Sequence, residues 1–509
     1  MGTKTPGREI FAKYTDAETF EKIKEFGSIS EMWKNCIEKY SDEEAIFDLD
    51  TSFSFAKTEE MAAGFRTVIK KNIEGTGKRI GIYAVNSFEF VKAFIAITTM
   101  GHTAVILPAQ LDENTVFGCC YKFALDAVVY HEDLKQKAAV AAEKLRGKVK
   151  FISVNENDDE KTELSEVSKE TPCVVMFTGG TTGKSKGALL TNGAVMQGVV
   201  NGCFGYKDVF GQKYILVLPL SHVFGLIRNL LTSLYTGSSM MICRNNKDMF
   251  RDIAVFKPTI LVVVPALVEM ALTLSKKFGK NMLGESMKYI ICGAATVASY
   301  LVTEYEKYGI TLCPGYGLTE TANLVSGNPE SLKKPGSVGI MYPNQQYRVE
   351  DGELWLKGEN LMTAYIGEDE SGFTEDGWFK TGDLVRFDED GFLYITGRIK
   401  EIIVLSNGEN VSPAEIETKF NELDFVQDSQ VFEDRTSDGK EILALEIVPR
   451  MTEIAKLGLS DPNAYMLGKL EEVNAGLPSH MRINKLTIRD KDFERTPSMK
   501  ILRYKKVWE

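Results

Sequence analysis

The chain has 509 residues, 44% of them hydrophobic and 26% charged, with a net charge of −11 and a sequence pI near 5.3. That composition excludes a disordered tail, a collagen-like fibre and a small disulfide scaffold, and its acidic balance argues against nonspecific nucleic-acid binding, which needs a basic face. Hydrophobic cores split beyond about 250–300 residues, so at least two domains are expected.

Residues 19–39 and 58–71 carry the spacing of amphipathic helices. Short apolar runs at 79–84, 90–99, 103–107, 127–130, 149–154 and 174–177 then alternate with helical stretches. The alternation resumes at 214–218, 239–242, 259–264, 289–291 and 311–312. It predicts βαβ units and a largely parallel, buried sheet. After about residue 336 the texture changes. Segments 346–350, 353–357 and 392–396 are short, alternating and bounded by Gly, Asp and Asn, which predicts antiparallel strands. From residue 398 a pattern of strand, turn, helix, strand and strand fills about 110 residues, enough for a small α+β domain. The boundary is expected near residues 397–401.

Eight cysteines, at 36, 119, 120, 173, 203, 243, 292 and 313, include no C-x-x-C pair. They predict reduced, mostly buried thiols in a cytosolic protein. Four histidines, at 102, 131, 222 and 480, are too scattered for a His-based metal site. The start, Met-Gly-Thr-Lys-Thr-Pro, lacks the apolar region of a secretory signal. The longest apolar runs are about eight residues where a bilayer span needs roughly 20. A soluble, cytoplasmic protein is expected, with no integral membrane association.

The strongest chemical signal follows the apolar run 174–177. Residues 178–187 read Thr-Gly-Gly-Thr-Thr-Gly-Lys-Ser-Lys-Gly. Glycines let a backbone turn its N–H groups onto an anion, and hydroxyl and ammonium groups add charge-assisted bonds to phosphate oxygens. Gly183-Lys184-Ser185 mimics the end of a Walker A motif, but the first glycine of that motif falls on Thr178. No apolar strand ending in an acidic residue follows either. A P-loop NTPase is therefore the poorer reading.

The loop resembles the signature of the adenylate-forming (AMP-binding) superfamily, acyl-CoA synthetase type. Six further segments match in order. They are Leu-Pro-Leu-Ser-His-Val-Phe-Gly at 218–225, Cys-Gly-Ala-Ala at 292–295, Gly-Tyr-Gly-Leu-Thr-Glu at 315–320, Gly-Trp-Phe-Lys-Thr-Gly-Asp at 377–383, Gly-Arg-Ile-Lys at 397–400 continuing through 408–417, and Ser-Met-Lys-Ile-Leu-Arg at 498–503.

The resemblance implies an α/β fold with a large N-terminal domain, residues 1–397, of mixed and parallel sheets with flanking helices and a small β-rich subdomain. A small mobile α+β domain, residues 398–509, follows, with its hinge at Lys400. It implies joining of a carboxylate to ATP as acyl-AMP, with release of pyrophosphate, then transfer to a thiol. Thr178, Gly179, Gly180, Thr181, Thr182, Gly183 and Lys186 are expected to hold the β- and γ-phosphates. Thr319 should meet the α-phosphate and Glu320 should ligate Mg²⁺. Gly293, Ala294 and Tyr316 should enclose adenine, and Asp383 and Arg398 should grip the ribose. Lys500 should reach the reacting oxygens from the small domain. Two positions depart from the pattern, Ser185 where Pro is usual and Met499 where Gly precedes the lysine.

Amino-acid-activating relatives carry an acidic residue to pair with the substrate amine, and residues 221–234 hold none here. An ammonium buried there unpaired would be costly, so a hydrophobic acid, fatty or aryl, is expected. His222, Val223, Phe224, Leu226 and Gly315 are the pocket candidates, with Gly315 leaving room for a long or flat group, and the resemblance implies that His222 lies beside the substrate carboxylate and counts, with Thr319, Glu320 and Lys500, among the catalytic residues. Coenzyme A is the expected acceptor, because the turn at Gly408 resembles the one that lines a pantetheine tunnel. An acyl carrier protein is the alternative partner.

Overall fold

Runs of β-branched and leucine side chains build two large buried sheets in a computed structural model describing residues 2–178, 186–368, 371–405, 409–436, 441–495 and 501–503. In the seven-stranded sheet, Pro172–Phe177, Thr103–Leu107, Arg79–Tyr83, Ala127–Tyr130 and Lys150–Ser153 lie side by side and parallel. Gly187–Thr191 and Ala364–Ile366 extend one edge antiparallel. The run expected at 90–99 is the crossover helix Phe88–Thr99, buried all round except at Glu89. A helix packed between layers needs an apolar surface on every side.

The nine-stranded sheet places Thr311–Leu318, Tyr289–Cys292, Ile260–Val263, Lys213–Leu216, Ser239–Ile242 and Glu44–Asp48 in parallel order. The strand expected to stop at 312 continues to Leu318. Its first half pairs parallel with Tyr289–Cys292 and its second half antiparallel with Asn323–Gly327. Pro314, Gly315 and Gly317 read as strand breakers in sequence, and here they sit where the strand changes partners.

The helix expected over 19–39 is two. Ala17–Lys22 is capped by Asp16, whose carboxylate accepts from the Thr19 N–H at 2.8 Å. Ile29–Tyr40 is capped by Ser28, whose hydroxyl accepts from the Glu31 N–H at 3.2 Å. A good N-cap inside an amphipathic pattern starts a new helix. The region after residue 336 contains the expected antiparallel strands, Gln345–Glu350, Glu353–Gly358, Phe379–Phe387 and Leu393–Arg398, in one four-stranded sheet. Asp351 and Gly352 turn its first hairpin with φ of 49° and 83°, the backbone twist that matches two antiparallel strands.

Residues beyond 400 form their own core around Val411, Ile416, Phe420, Leu445, Ile447 and Leu470. A three-stranded sheet, Val426–Arg435, Glu441–Pro449 and Lys485–Ile488, carries the helices Pro413–Asn421 and Pro462–Ala475. Arg450 reaches back from this unit and donates from Nε to Glu269 at 2.9 Å. All eight cysteines are buried and free. Among the described residues no helix is long and apolar enough to cross a membrane.

Candidate functional site

In open α/β sheets, ligands settle outside the carboxyl ends of parallel strands. The candidate residues gather there. Thr178 follows Pro172–Phe177, Gly293 follows Tyr289–Cys292, the 218–225 segment follows Lys213–Leu216, and Thr319 follows Thr311–Leu318.

Thr178 is buried, and its N–H donates to the Lys186 carbonyl at 2.9 Å. Phe177 pairs with Gly187, so the loop joins two antiparallel strands. Gly187 has no alternative, since a Cβ there would stand 2.5 Å from the Phe123 ring. A Walker A loop instead runs from a strand into a helix. That connection removes the P-loop NTPase reading. Gly179, Gly180, Thr181, Thr182 and Gly183, with Ser185, lie outside the described residues, as do Gly408, Met499 and Lys500.

Lys186 holds its ammonium 4.8 Å from the centre of the Tyr365 ring. The Tyr365 hydroxyl donates to Glu320 at 2.6 Å, and the Met362 N–H donates to the Glu320 carbonyl at 2.8 Å. Burial, followed by the Glu320 charge, pushes the Tyr365 phenol up, so it stays a donor at neutral pH. Thr319 and Glu320 sit in a single 3₁₀ turn, Thr319–Thr321, fixed by the Thr321 hydroxyl, which accepts from the Leu318 N–H at 2.9 Å. Lys186, Glu320 and Thr319 thus come together although more than a hundred residues separate the lysine from the other two. Tyr365 joins them unforeseen. Its strand, Ala364–Ile366, reads in sequence as an unremarkable edge segment.

A second cluster joins the nucleoside candidates. Asp383 and Arg398 are cross-strand partners. Arg398 donates to Asp383 from Nε at 2.5 Å, and the Tyr316 hydroxyl donates to the other carboxylate oxygen at 2.6 Å. Burial, then the Asp383 charge, drives the Tyr316 phenol well up. Burial works against the Arg398 charge, yet Asp383 outweighs it and raises the guanidinium. The Asp383 carboxylate is buried, with acceptor capacity left beyond these donors.

Gly293 closes the third group. A Cβ there would stand 3.0 Å from the Gly315 carbonyl and 3.4 Å from the Phe224 ring. Ala294 is exposed and adopts φ of 67°, a left-handed conformation rare for a residue with a side chain. His222 and Val223 are half-buried and Phe224 is buried. Asn86, which sequence reasoning missed, clamps this segment by donating to the Leu218 carbonyl and accepting from the Leu220 N–H, both at 2.9 Å. Gly315 departs from expectation. The space its missing side chain leaves is taken by Leu324, whose Cδ1 lies 2.7 Å from where a Cβ would stand. Lys400 is exposed in the 3₁₀ turn Ile399–Glu401, directly after Arg398.

The sequence pattern of the AMP-binding enzyme family matches residues 33–366, and that of the AMP-binding enzyme C-terminal domain matches 400–507. The chain belongs to this family. It is of the acyl-CoA synthetase type, an AMP-forming acid–thiol ligase. The 4-coumarate–CoA ligase-like 6 protein of Arabidopsis thaliana is 30% identical over 437 residues, 74% of each chain. A long-chain-fatty-acid–CoA ligase of Haemophilus influenzae is 26% identical over 464 residues, 79% of this chain and 82% of that one. The fold matches the ATP-bound crystal structure of MatB from Rhodopseudomonas palustris with a TM-score of 0.80 at 23% identity, over 93% of this chain and 97% of the other. It also matches the anthranilate CoA ligase AuaEII in complex with anthranoyl-AMP, with a TM-score of 0.81 at 19% identity over 94% and 96%.

Proposed function

We propose that this protein activates a hydrophobic carboxylic acid, fatty or aryl, as acyl-AMP with release of pyrophosphate, then transfers the acyl group to coenzyme A. The observation that carries the reading is the convergence of Lys186, Thr319 and Glu320 in one cluster and of Tyr316, Asp383 and Arg398 in a second, joined by the strand Thr311–Leu318, which holds Tyr316 and leads directly into Thr319 and Glu320.

A carboxylic acid with a pKa near 4 is ionised at neutral pH and needs no strong base. The obstacle is bringing it to a polyanion, so catalysis rests on positioning and positive charge. Lys186 and the loop from Thr178 hold the β- and γ-phosphates. Thr319 donates to the α-phosphate. Asp383 and Arg398 take the ribose hydroxyls, while Gly293, Ala294 and Tyr316 wall the adenine.

Glu320 fits a Mg²⁺ ligand. Its carboxylate is fixed by one phenol, and Mg²⁺ is commonly held by one or two carboxylates plus phosphate oxygens. Bound there, the ion would offset phosphate charge. His222, Val223 and Phe224 line the acid. Residues 1–397 form the nucleotide and acyl unit and 398–509 the small unit, turning at Lys400. Lys500 supplies the charge for adenylation and the Gly408 turn serves the thiol step. A stand-alone adenylating ligase that loads a separate acyl carrier protein is the second reading, resting on the same adenylation site.

Incubation with ATP, Mg²⁺ and a panel of acids tests this. Pyrophosphate and acyl-AMP are expected, and added CoA should convert the adenylate to a thioester. Phosphate release without pyrophosphate for every acid would overturn the reading. Adenylate formation with no CoA thioester would favour the carrier protein.

A further inference from the structure

Charges that meet across two folding units are costly to separate by halves, because withdrawing one partner leaves the other buried and unpaired. Arg450 is placed that way. It follows the strand Glu441–Pro449 of the small unit, and its side chain is only 9% exposed. Its own unit holds it from one side: Nη1 donates to the Asp424 carbonyl, and Nη2 to the Val426 carbonyl at 3.0 Å. The nucleotide unit supplies the counter-charge from the other. Nε donates to Glu269 Oε1 at 2.9 Å, and Nη2 donates to the same oxygen. The Tyr300 hydroxyl donates there too, at 2.7 Å, and the guanidinium carbon lies 4.5 Å from the centre of the Tyr300 ring. Burial, then the Glu269 charge, pushes the Tyr300 phenol well up, so it stays a donor at neutral pH.

Both partners on the nucleotide unit stand on helices that begin beside the adenine candidates. Glu269 lies in Pro265–Phe278, which follows the strand Ile260–Val263, and the Val263 carbonyl accepts from the Gly293 N–H at 3.3 Å. Tyr300 lies in Ser299–Glu306, the helix that comes after Gly293 and Ala294. Lys276, further along the first helix, adds a longer link, 3.6 Å from Glu453 of the small unit and 3.2 Å from Glu304 of its own. A second carboxylate is close by. Asp428 of the small unit pairs with Arg495. Burial raises the Asp428 carboxyl to about 6 against the pull of Arg495, and the Glu269 charge adds to the rise. The contact thus brings two carboxylates within reach of each other, and the Arg450 cation makes it attractive. Next to the hinge, the Ser412 hydroxyl donates to the Thr396 carbonyl at 2.7 Å. A turn of the small unit about Lys400 takes Arg450 off Glu269. Contacts between units that move are more polar than permanent ones, since water takes up the charges they release.

We propose that Glu269 and Arg450, with Tyr300, form a latch that positions the small unit for one of the two half-reactions and parts for the other, so that its strength sets the ratio of adenylate formation to thioester formation. This rests on the two-step ligase reading above and deepens it. Glu269, Arg450 and Tyr300 are positioning residues, acting through the orientation of the small unit and not on the reacting atoms.

The test measures the half-reactions separately, acid-dependent exchange of pyrophosphate into ATP for the first and consumption of supplied acyl-AMP with CoA for the second. Glu269→Gln removes the charge and leaves the bonds of Arg450 to the Asp424 and Val426 carbonyls in place. It should slow the half-reaction that the docked orientation serves by about tenfold, the difference between a charged and a neutral hydrogen bond, while the other holds or quickens. Arg450→Met should move the ratio further the same way, because Glu269 then faces Asp428 uncompensated, and Arg450→Lys should restore part of it. Glu269→Gln and Arg450→Met together should move it less than the product of the two single effects, as one shared contact requires. Should Arg450→Met fail to fold, Tyr300→Phe keeps the ring and should move the ratio about threefold in the same direction. Joining Glu269→Cys to Arg450→Cys with a short thiol cross-linker should abolish one half-reaction and spare the other. A ratio unchanged in Glu269→Gln and Tyr300→Phe, or both half-reactions retained by the cross-linked protein, overturns this inference and leaves the ligase reading standing. Absence of pyrophosphate with every acid from the unaltered protein overturns the ligase reading, and the latch with it.

Discussion

Replacing Asp383 by Asn isolates the charge at the centre of the nucleoside cluster. The side chain is 3% exposed and receives Arg398 Nε at 2.5 Å on one oxygen, with the Tyr316 hydroxyl at 2.6 Å and Arg398 Nη2 at 3.4 Å on the other. An amide has one oxygen, so whichever way it turns, its NH₂ group faces a donor. A hydrogen bond to a charged group contributes about 1.5–3 kcal/mol. The Arg398 side chain is 39% exposed, and water restores part of what it loses. A loss of about 2 kcal/mol in the grip on the nucleotide follows, which is roughly 30-fold in affinity. Initial rates of pyrophosphate release against ATP concentration should show that rise in the KM for ATP, with the KM for the acid little changed. Direct ATP titration provides the equilibrium check. An ATP affinity within about twofold of the unaltered protein, from a folded variant, would refute the reasoning, since that is too small for one charged hydrogen bond.

Three further outcomes follow from other parts of the molecule. Tyr365→Phe removes the 2.6 Å bond to Glu320 while keeping the ring under Lys186, and should raise the Mg²⁺ concentration needed for half-maximal rate by about tenfold; an unchanged Mg²⁺ dependence would count against the role given to Glu320. Burial lowers the Lys92 ammonium from 10.5 to about 8, so between those values the unfolded chain binds more protons than the folded one and stability rises with pH. The window is worth up to about 3 kcal/mol. Urea unfolding at pH 7.5, 9 and 10 should show that rise relative to Lys92→Met, and parallel curves for the two proteins would refute it. Burial also pushes the thiols up, Cys119 to about 11 and Cys36, Cys120, Cys203, Cys243 and Cys313 to about 12. A disulfide reagent at pH 8 should leave all eight cysteines of the folded protein unreacted and label all eight after unfolding; rapid labelling of any before unfolding would contradict the packing.

The sequence by itself determined what depends on neighbours in the chain. Alternation at 346–350 and 353–357, around the Asp351-Gly352 turn, marks a hairpin because turn chemistry and pleat are local. Apolar runs bounded by breakers mark the buried strands, and the spacing of Thr178, Gly293, Thr319 and Asp383 carries the family resemblance. Only the tertiary structure decided what depends on partners far along the chain. Strand Thr311–Leu318 passes through Pro314 and two glycines because it has Tyr289–Cys292 on one stretch and Asn323–Gly327 on the next. Leu324, 9 residues on, fills the space that Gly315 leaves open in sequence. Tyr365 acquires meaning from lying over Lys186 and bonding Glu320, and Asn86 from clamping residues 218 and 220. Arg228 reads in sequence as one charge in a greasy helix. Its burial beside three phenols and no carboxylate partner is set by which faces pack together, a long-range outcome that no local pattern encodes.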